Sequence, residues 1–329
     1  MKVLIVSDGY PTPQAPGVAT VIRDQVESLR REGIDVDVFL VHGGDNKVNY
    51  LLGIFRLWKH LLTHRYDLIH AHYVFEGIVA RTQFLYPVVL TQHGSEVFTT
   101  WERFPCRMIN HFVDKVILVS QEQKDKLGYD KAVVIPCGTD FDRFKPMPHE
   151  EARKKLGLPL EKKLVLWAVQ GLRPEKRLDI VEAAVSLAHE KDPSIELVPL
   201  TGKPHDAVAV YMNACDALLL VSDGEGSPMV VKEALACNLP VVGYPTGDMH
   251  DLIGDVNGCY LCSQNPADVA EKLLLALNGS RLADGRERTG HMELSNIAKR
   301  IVAVYQEVLD KKKRSLLFQL SRRLLAPEA

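Results

Sequence analysis

The chain lacks the long hydrophobic runs that a bilayer-spanning protein needs. No segment approaches ~18 uninterrupted apolar residues, so no transmembrane helix is expected. The opening run Met1–Val6 is too short for a signal peptide and Asp8 ends it, so a cytoplasmic protein is expected. Cysteine is sparse: six in 329 residues, without the spacing of a disulfide framework. Cys259 and Cys262 have no second pair and no histidine partners, which favours buried thiols over a zinc site. An excess of one charge is missing too. Lys+Arg 40 against Asp+Glu 42 gives no global bias toward nucleic acid. The Gly-x-Gly-x-x-Gly fingerprint is absent, which disfavours a nicotinamide dinucleotide. No Ser-His-Asp set, cysteine nucleophile or metal-carboxylate cluster stands out, and there is no short internal repeat.

What is present is α/β alternation, twice over. At 329 residues the chain is comfortable as two domains. Apolar strand runs fall at Lys2–Val6, Val36–Val41, Leu68–Ala71, Val88–Thr91, Lys115–Val119 and Ala132–Ile135. Helical stretches near Thr20–Arg31, Val48–Thr63, Glu76–Leu85, Trp101–Phe112 and Gln121–Leu127 separate them. Apolar strands divided by helices indicate a parallel sheet covered on both faces. Phe141–His149 reads as a linker, rich in Pro and charge.

A second set of strands follows at Leu164–Ala168, Ile195–Val198, Ala217–Val221, Val241–Gly243 and Cys259–Leu261. Its helices lie near Arg177–Glu190, Asp206–Ala214, Pro228–Cys237, Pro266–Asn278 and Ser295–Lys312. The expected architecture is two Rossmann-like parallel-sheet domains facing a cleft, 1–146 and 147–308, with a basic amphipathic tail at 309–329.

The richest segment is Glu225-Gly-Ser-Pro-Met-Val-Val-Lys-Glu233, two carboxylates eight positions apart astride a loop-to-helix junction. Ser227 suits an N-cap and Pro228 the first helical position. Gly226 lets backbone approach a ligand closely. N–H groups around Met229 and Val230 suit an anion. A phosphate held there has a carboxylate on each side, able to accept from hydroxyls. Upstream, Gln170-Gly-Leu-Arg173-Pro-Glu-Lys176 follows a strand and opens a helix, placing Arg173 and Lys176 near a diphosphate. Thr91-Gln-His93-Gly-Ser-Glu96 ends a strand of the first unit at the cleft. His70 and His72 share a strand face and read as packing and rim residues.

The Glu-x7-Glu segment resembles that of retaining, nucleotide-sugar-dependent glycosyltransferases of the GT-B fold. It is closest to the family 4-like group that builds bacterial surface polysaccharides. The resemblance implies that Glu225 holds a donor-sugar hydroxyl and Glu233 the ribose hydroxyls. Lys176 matches the family's Pro-Glu-Lys, while Gly171 stands at the usual Arg position; Arg173, two residues on, is expected to reach the same phosphate. His93 and Gly94 match a His-Gly-x-Asp pattern with Glu96 for Asp, which puts His93 near the anomeric carbon. Pro16-Gly17 replaces a Gly-Gly, implying that Gly17 belongs to a loop over the diphosphate. Val134–Pro146 resembles the segment closing the first domain, with Cys137 for the usual Asn. The backbone of Thr246–Met249 is a further candidate for lining the donor side.

Between Val198 and Ala217 relatives carry an additional strand and helix, so a compact second domain is expected. The implied reaction is transfer of a hexosyl group from a nucleoside-diphosphate sugar to a glycan or lipid-linked acceptor. No metal is implied, and no cofactor beyond the donor. A non-catalytic partner subunit of the same fold, and a nucleotide-sugar epimerase or a sugar phosphorylase, remain open. The tail adds six basic residues against one acid between Lys311 and Ala329, with Leu316, Leu317, Leu320 and Leu324 on one stripe. It suits an anionic membrane surface or a helix crossing back onto the first domain.

Overall fold

The computed structural model describes residues 1–12, 18–44, 46–99, 101–169, 171–282 and 284–325, the side chains of Ser95 and of 315–325 excepted. The first unit runs β1 (Lys2–Ser7), α1 (Thr20–Arg31), β2 (Asp35–Leu40), α2 (Val48–Thr63), β3 (Leu68–His72), α3 (Val74–Arg81) and β4 (Val88–Gln92). It continues through α4 (Ser95–Phe98), α5 (Arg103–Asn110), β5 (Lys115–Leu118), α6 (Gln121–Leu127) and β6 (Val133–Val134). Its six strands are ordered β2-β1-β3-β4-β5-β6 and pair in parallel. The expected strands are all present. Ser120 caps α6 by accepting from the Gln123 N–H, and Gly128 ends it in the left-handed region.

The second unit runs α7 (His149–Leu156), β7 (Lys163–Val169), a 3-10 turn Pro174–Lys176, α8 (Leu178–Lys191), β8 (Ile195–Thr201), α9 (His205–Ala214) and β9 (Ala217–Leu220). It continues through α10 (Met229–Ala236), β10 (Val241–Gly243), α11 (Met249–Ile253), β11 (Tyr260–Leu261), α12 (Pro266–Asn278) and α13 (Gly285–Arg288). Five parallel strands are ordered β11-β10-β9-β7-β8. A single helix, α9, joins β8 to β9, as the short sequence there required. In both sheets the order reverses beside the first strand, between β1 and β3 and between β7 and β9. That reversal opens a crevice at the strand C-termini.

The linker is more ordered than its Pro and charge content suggested. Phe141 and Phe144 are buried in the second unit's core, and Arg286 holds both their carbonyls. α7, absent from the sequence expectation, forms around the buried Arg153, which donates to the Ala214, Pro159, Leu160 and Lys162 carbonyls and to Asp216. A charged residue at the anchor hides the helix from an apolar-pattern reading.

The last helix, α14 (Leu294–Leu325), leaves the second unit and packs on the first. Ile297, Ala298, Ile301, Val304, Tyr305 and Val308 join a core with Val3, Ile5, Ile22 and Val26. Residues 294–308, grouped with the second domain on sequence grounds, therefore pack in the first, because their apolar stripe fits the open sheet face beside α1. The outgoing and returning chains run together at Thr139 and Glu293.

Candidate active site

The C-terminal edges of the two sheets meet at glycines. A Cβ placed on Gly226 would lie 2.0 Å from the His93 carbonyl oxygen, and one on Gly94 would lie 2.4 Å from the Gly226 Cα. Gly94 also has φ +119°, a region that other residues rarely adopt. Only glycine lets the β4 loop of one unit touch the β9 loop of the other. A second bond spans the cleft where the Gly247 N–H donates to Glu122 Oε2 at 2.6 Å.

Beside this contact Lys176 and Glu225 meet, while Arg173 stands apart. Lys176 Nζ donates to Glu225 Oε1 at 2.6 Å, and both side chains are largely buried. The cation and carboxylate expected at the diphosphate and the sugar thus share one spot. Glu233, on the buried side of α10, accepts from His205 Nε2 at 2.7 Å. Arg173 does not join them. Its side chain is 57% exposed and paired with Glu175 at 3.2 Å. Gly17 lies outside the described residues.

Ser227 is not the N-cap. α10 begins at Met229 with Pro228 in the cap position and no side-chain cap bond. The Ser227 hydroxyl donates to Asp248 Oδ2 at 2.6 Å and accepts from Lys232 Nζ. A buried ammonium competes better for that oxygen than a backbone N–H does. Among the described residues no side chain caps the start of α10, where the first-turn N–H groups of Met229 and Val230 lie.

His93 is held from every side. Its N–H and that of Gly94 donate to the two Glu96 carboxylate oxygens at 2.9 and 3.2 Å, so Glu96 fastens the loop. Its ring shares a hydrogen bond with His72 Nδ1 at 2.9 Å and faces Cys137 Sγ at 3.6 Å. Burial pushes His93 down to about 4 and His70 to about 3, and His72 well down as well. The three imidazoles are neutral at pH 7. His93 can therefore offer its carbonyl or a neutral ring, not a positive charge.

Several residues here went unassigned on sequence grounds. His72, read as packing, orients His93. Lys232 is fully buried and bonds the Cys137 carbonyl at 3.2 Å and Asp248 at 3.3 Å. A lysine between Val231 and the site carboxylate Glu233, in a helix otherwise apolar from Met229 to Ala236, was the available signal. His205 lies within 3.9 Å of Asp24 on α1, and Arg143 reaches both Asp24 and Asp206. Glu76 is buried at the start of α3, and burial pushes it up to about 8. Cys259 and Cys262 are buried free thiols.

Two family models match this chain, Glycosyltransferase Family 4 over residues 16–143 and Glycosyl transferases group 1 over 163–278. The chain belongs to the family 4-like glycosyltransferases of the GT-B fold. It is 27% identical to a Bacillus subtilis protein named as a teichuronic acid biosynthesis glycosyltransferase, TuaC, over 77% of this chain and 83% of that one. Among solved structures it resembles sucrose-phosphate synthase from Thermosynechococcus elongatus with a TM-score of 0.79 at 18% identity, covering 94% of this chain and 99% of that one. It also resembles Anabaena Alr3699/HepE in complex with UDP and glucose, with a TM-score of 0.70 at 17% identity, over 93% and 99% of the two chains. These structural likenesses bear on the glycosyltransferase's fold, while its substrates are a matter for its own residues. No helix among the described residues is long and apolar enough to cross a membrane.

Proposed function

We propose that this glycosyltransferase is a retaining, metal-independent hexosyltransferase of cell-surface polysaccharide synthesis. It moves a sugar from a nucleoside-diphosphate donor to a glycan or lipid-linked acceptor at the cytoplasmic face of the membrane. The observation that carries the reading is the Lys176–Glu225 pair at 2.6 Å beside the uncapped start of α10. Together they supply positive potential for a leaving diphosphate and an acceptor for a sugar hydroxyl. Glu233 takes the ribose, exchanging His205 for hydroxyls. Arg173, free of the core, swings to the phosphates on donor binding. The UDP and glucose in the Anabaena protein make UDP the first nucleotide to try.

In the proposed step the bond from the anomeric carbon to the phosphate oxygen breaks. The acceptor oxygen bonds the same face, and its proton passes to the departing phosphate oxygen. Preorganised donors at the phosphates matter most, each contributing on the order of 3 kcal/mol to the transition state. The charge of Lys311–Arg314 supports a further part of the reading, a basic tail on an anionic membrane surface.

The test is a thermal-shift screen of nucleoside diphosphates and their sugars, followed by product analysis with donor alone and with acceptor extracts. Stabilisation by one nucleotide and an α-linked product from an α-linked donor is the expected result. An epimerised donor without acceptor, or no nucleotide binding at all, would overturn it.

A further inference from the structure

The first unit is apolar on a surface that faces water. Of the eighteen large hydrophobic side chains exposed among the described residues, thirteen lie between Val48 and Phe112 and three between Leu160 and Leu275. α2, α3 and α5 bury one stripe each, including Leu57, Leu61, Val79 and Ile109, against the sheet. The other sides of α2 and α5 hold Phe55, Leu62 and Phe104, and the turn after α3 holds Phe84, all exposed to between 71% and 77%. A soluble monomer scatters such residues singly; a contiguous set marks an interaction surface.

This set is contiguous. Trp58 Nε1 donates to Thr82 Oγ1 at 3.3 Å, joining α2 to the turn that bears Phe84. The Arg81 guanidinium lies 4.8 Å from the Phe84 ring and donates to the Phe112 carbonyl after α5. At the cleft end Phe75 bridges Tyr50 of α2 and Trp101, with centroids 5.1 and 5.9 Å away.

Its charge has one sign. Across Val48–Tyr66, Arg81–Tyr86 and Trp101–Phe112 stand Arg56, Lys59, Arg65, Arg81, Arg103 and Arg107 against one acid, Glu102. The whole chain is balanced, so this is local. α14 adds to it, because Lys312 Nζ, within the basic run Lys311–Arg314, donates to the Leu85 carbonyl at 3.0 Å.

We propose that this face of α2, α5 and the Phe84 turn docks on an anionic phospholipid bilayer. Aromatic and leucine side chains enter the headgroup boundary while the Arg and Lys heads pair with lipid phosphates. A protein partner of ordinary composition has no reason to favour six cations over one acid. The Tyr50–Phe75–Trp101 end brings the cleft to the bilayer, where a lipid-linked acceptor would stand. Docking extends the membrane reading from the tail to the body of the first unit, and its evidence is independent of the donor assignment.

The test is co-sedimentation of the full chain with vesicles of phosphatidylglycerol and phosphatidylethanolamine, and with vesicles of phosphatidylcholine. The chain should bind the first and not the second. Phe55→Ser/Leu62→Ser/Phe84→Ser, and separately Arg56→Glu/Lys59→Glu, should weaken binding at least about tenfold. Unchanged circular dichroism and nucleotide-induced thermal shift would show these variants folded. A chain lacking residues 315–329 should still bind. The proposal is overturned if wild type stays in the supernatant with both vesicles, or if the serine variant binds as well as wild type. It is equally overturned if binding vanishes with residues 315–329 alone, or if lipid-free wild type is a dimer that the serine variant dissolves.

Discussion

Glu233 and His205 are joined at 2.7 Å, so the carboxylate proposed to receive a ribose is already held by an imidazole of the same unit. Burial works against the charged ring, but the Glu233 hydrogen bond, its charge and that of Asp24 outweigh it and raise His205 above the ordinary histidine value. The folded protein therefore keeps this proton to higher pH than the unfolded chain does. The stabilisation is complete below about 6.5 and is lost as pH rises through the raised native value. Urea titrations of wild type and His205→Ala should diverge most at low pH and converge above that value. Nucleotide-sugar affinity in wild type should rise over the same interval, as the neutral ring releases Glu233. A pH-independent difference between the two proteins would refute the linkage.

Lys176 and Glu225 form the other pair. Lys176→Ala should lower kcat/KM by about a hundredfold or more, the loss of about 3 kcal/mol at the leaving group. The melting temperature should change little, since the pair sits at the cleft and not in a core. Glu233→Ala should weaken donor binding as well. Wild-type turnover in both variants, measured by release of nucleoside diphosphate, would remove the assignment.

The three neutral histidines predict acid lability. Their native values lie below the ordinary one, so the unfolded chain takes up protons that the folded chain refuses between about 6.5 and 4. Stability should fall as pH drops through that window, by up to about 1.4 kcal/mol per pH unit for each histidine. His72→Asn should flatten the fall, and chemical denaturation at a series of pH values would measure it.

Lys232 is expected to matter for folding. Lys232→Met strands the buried Asp248 and Ser227, and should cost about 3–5 kcal/mol. Adding Asp248→Asn should return part of that loss. Unfolding midpoints of the two variants that proved equal would show the pair to be uncoupled.

The strand runs, the trimmed β8–β9 crossover and the Glu225–Glu233 segment were legible in the sequence because each rests on local chemistry. Strands buried on both faces must be apolar along their length, and glycine before a helix has a short list of uses. α7 escaped because its anchor is Arg153, whose burial depends on carbonyls up to 61 residues away. The capping role of Ser227 failed for the same kind of reason, since Asp248 lies 21 residues on.

The sequence by itself determined two parallel sheets, their order of elements, and the loop-helix junction between Glu225 and Glu233. Only the tertiary structure decided which charges meet. It set Lys176 on Glu225, His205 on Glu233 and Arg173 in solvent, and it laid α14 on the first unit. Periodicity is a property of neighbours along the chain. Pairing of buried charges is a property of neighbours in space, and is fixed only when desolvation forces each group to find its partner.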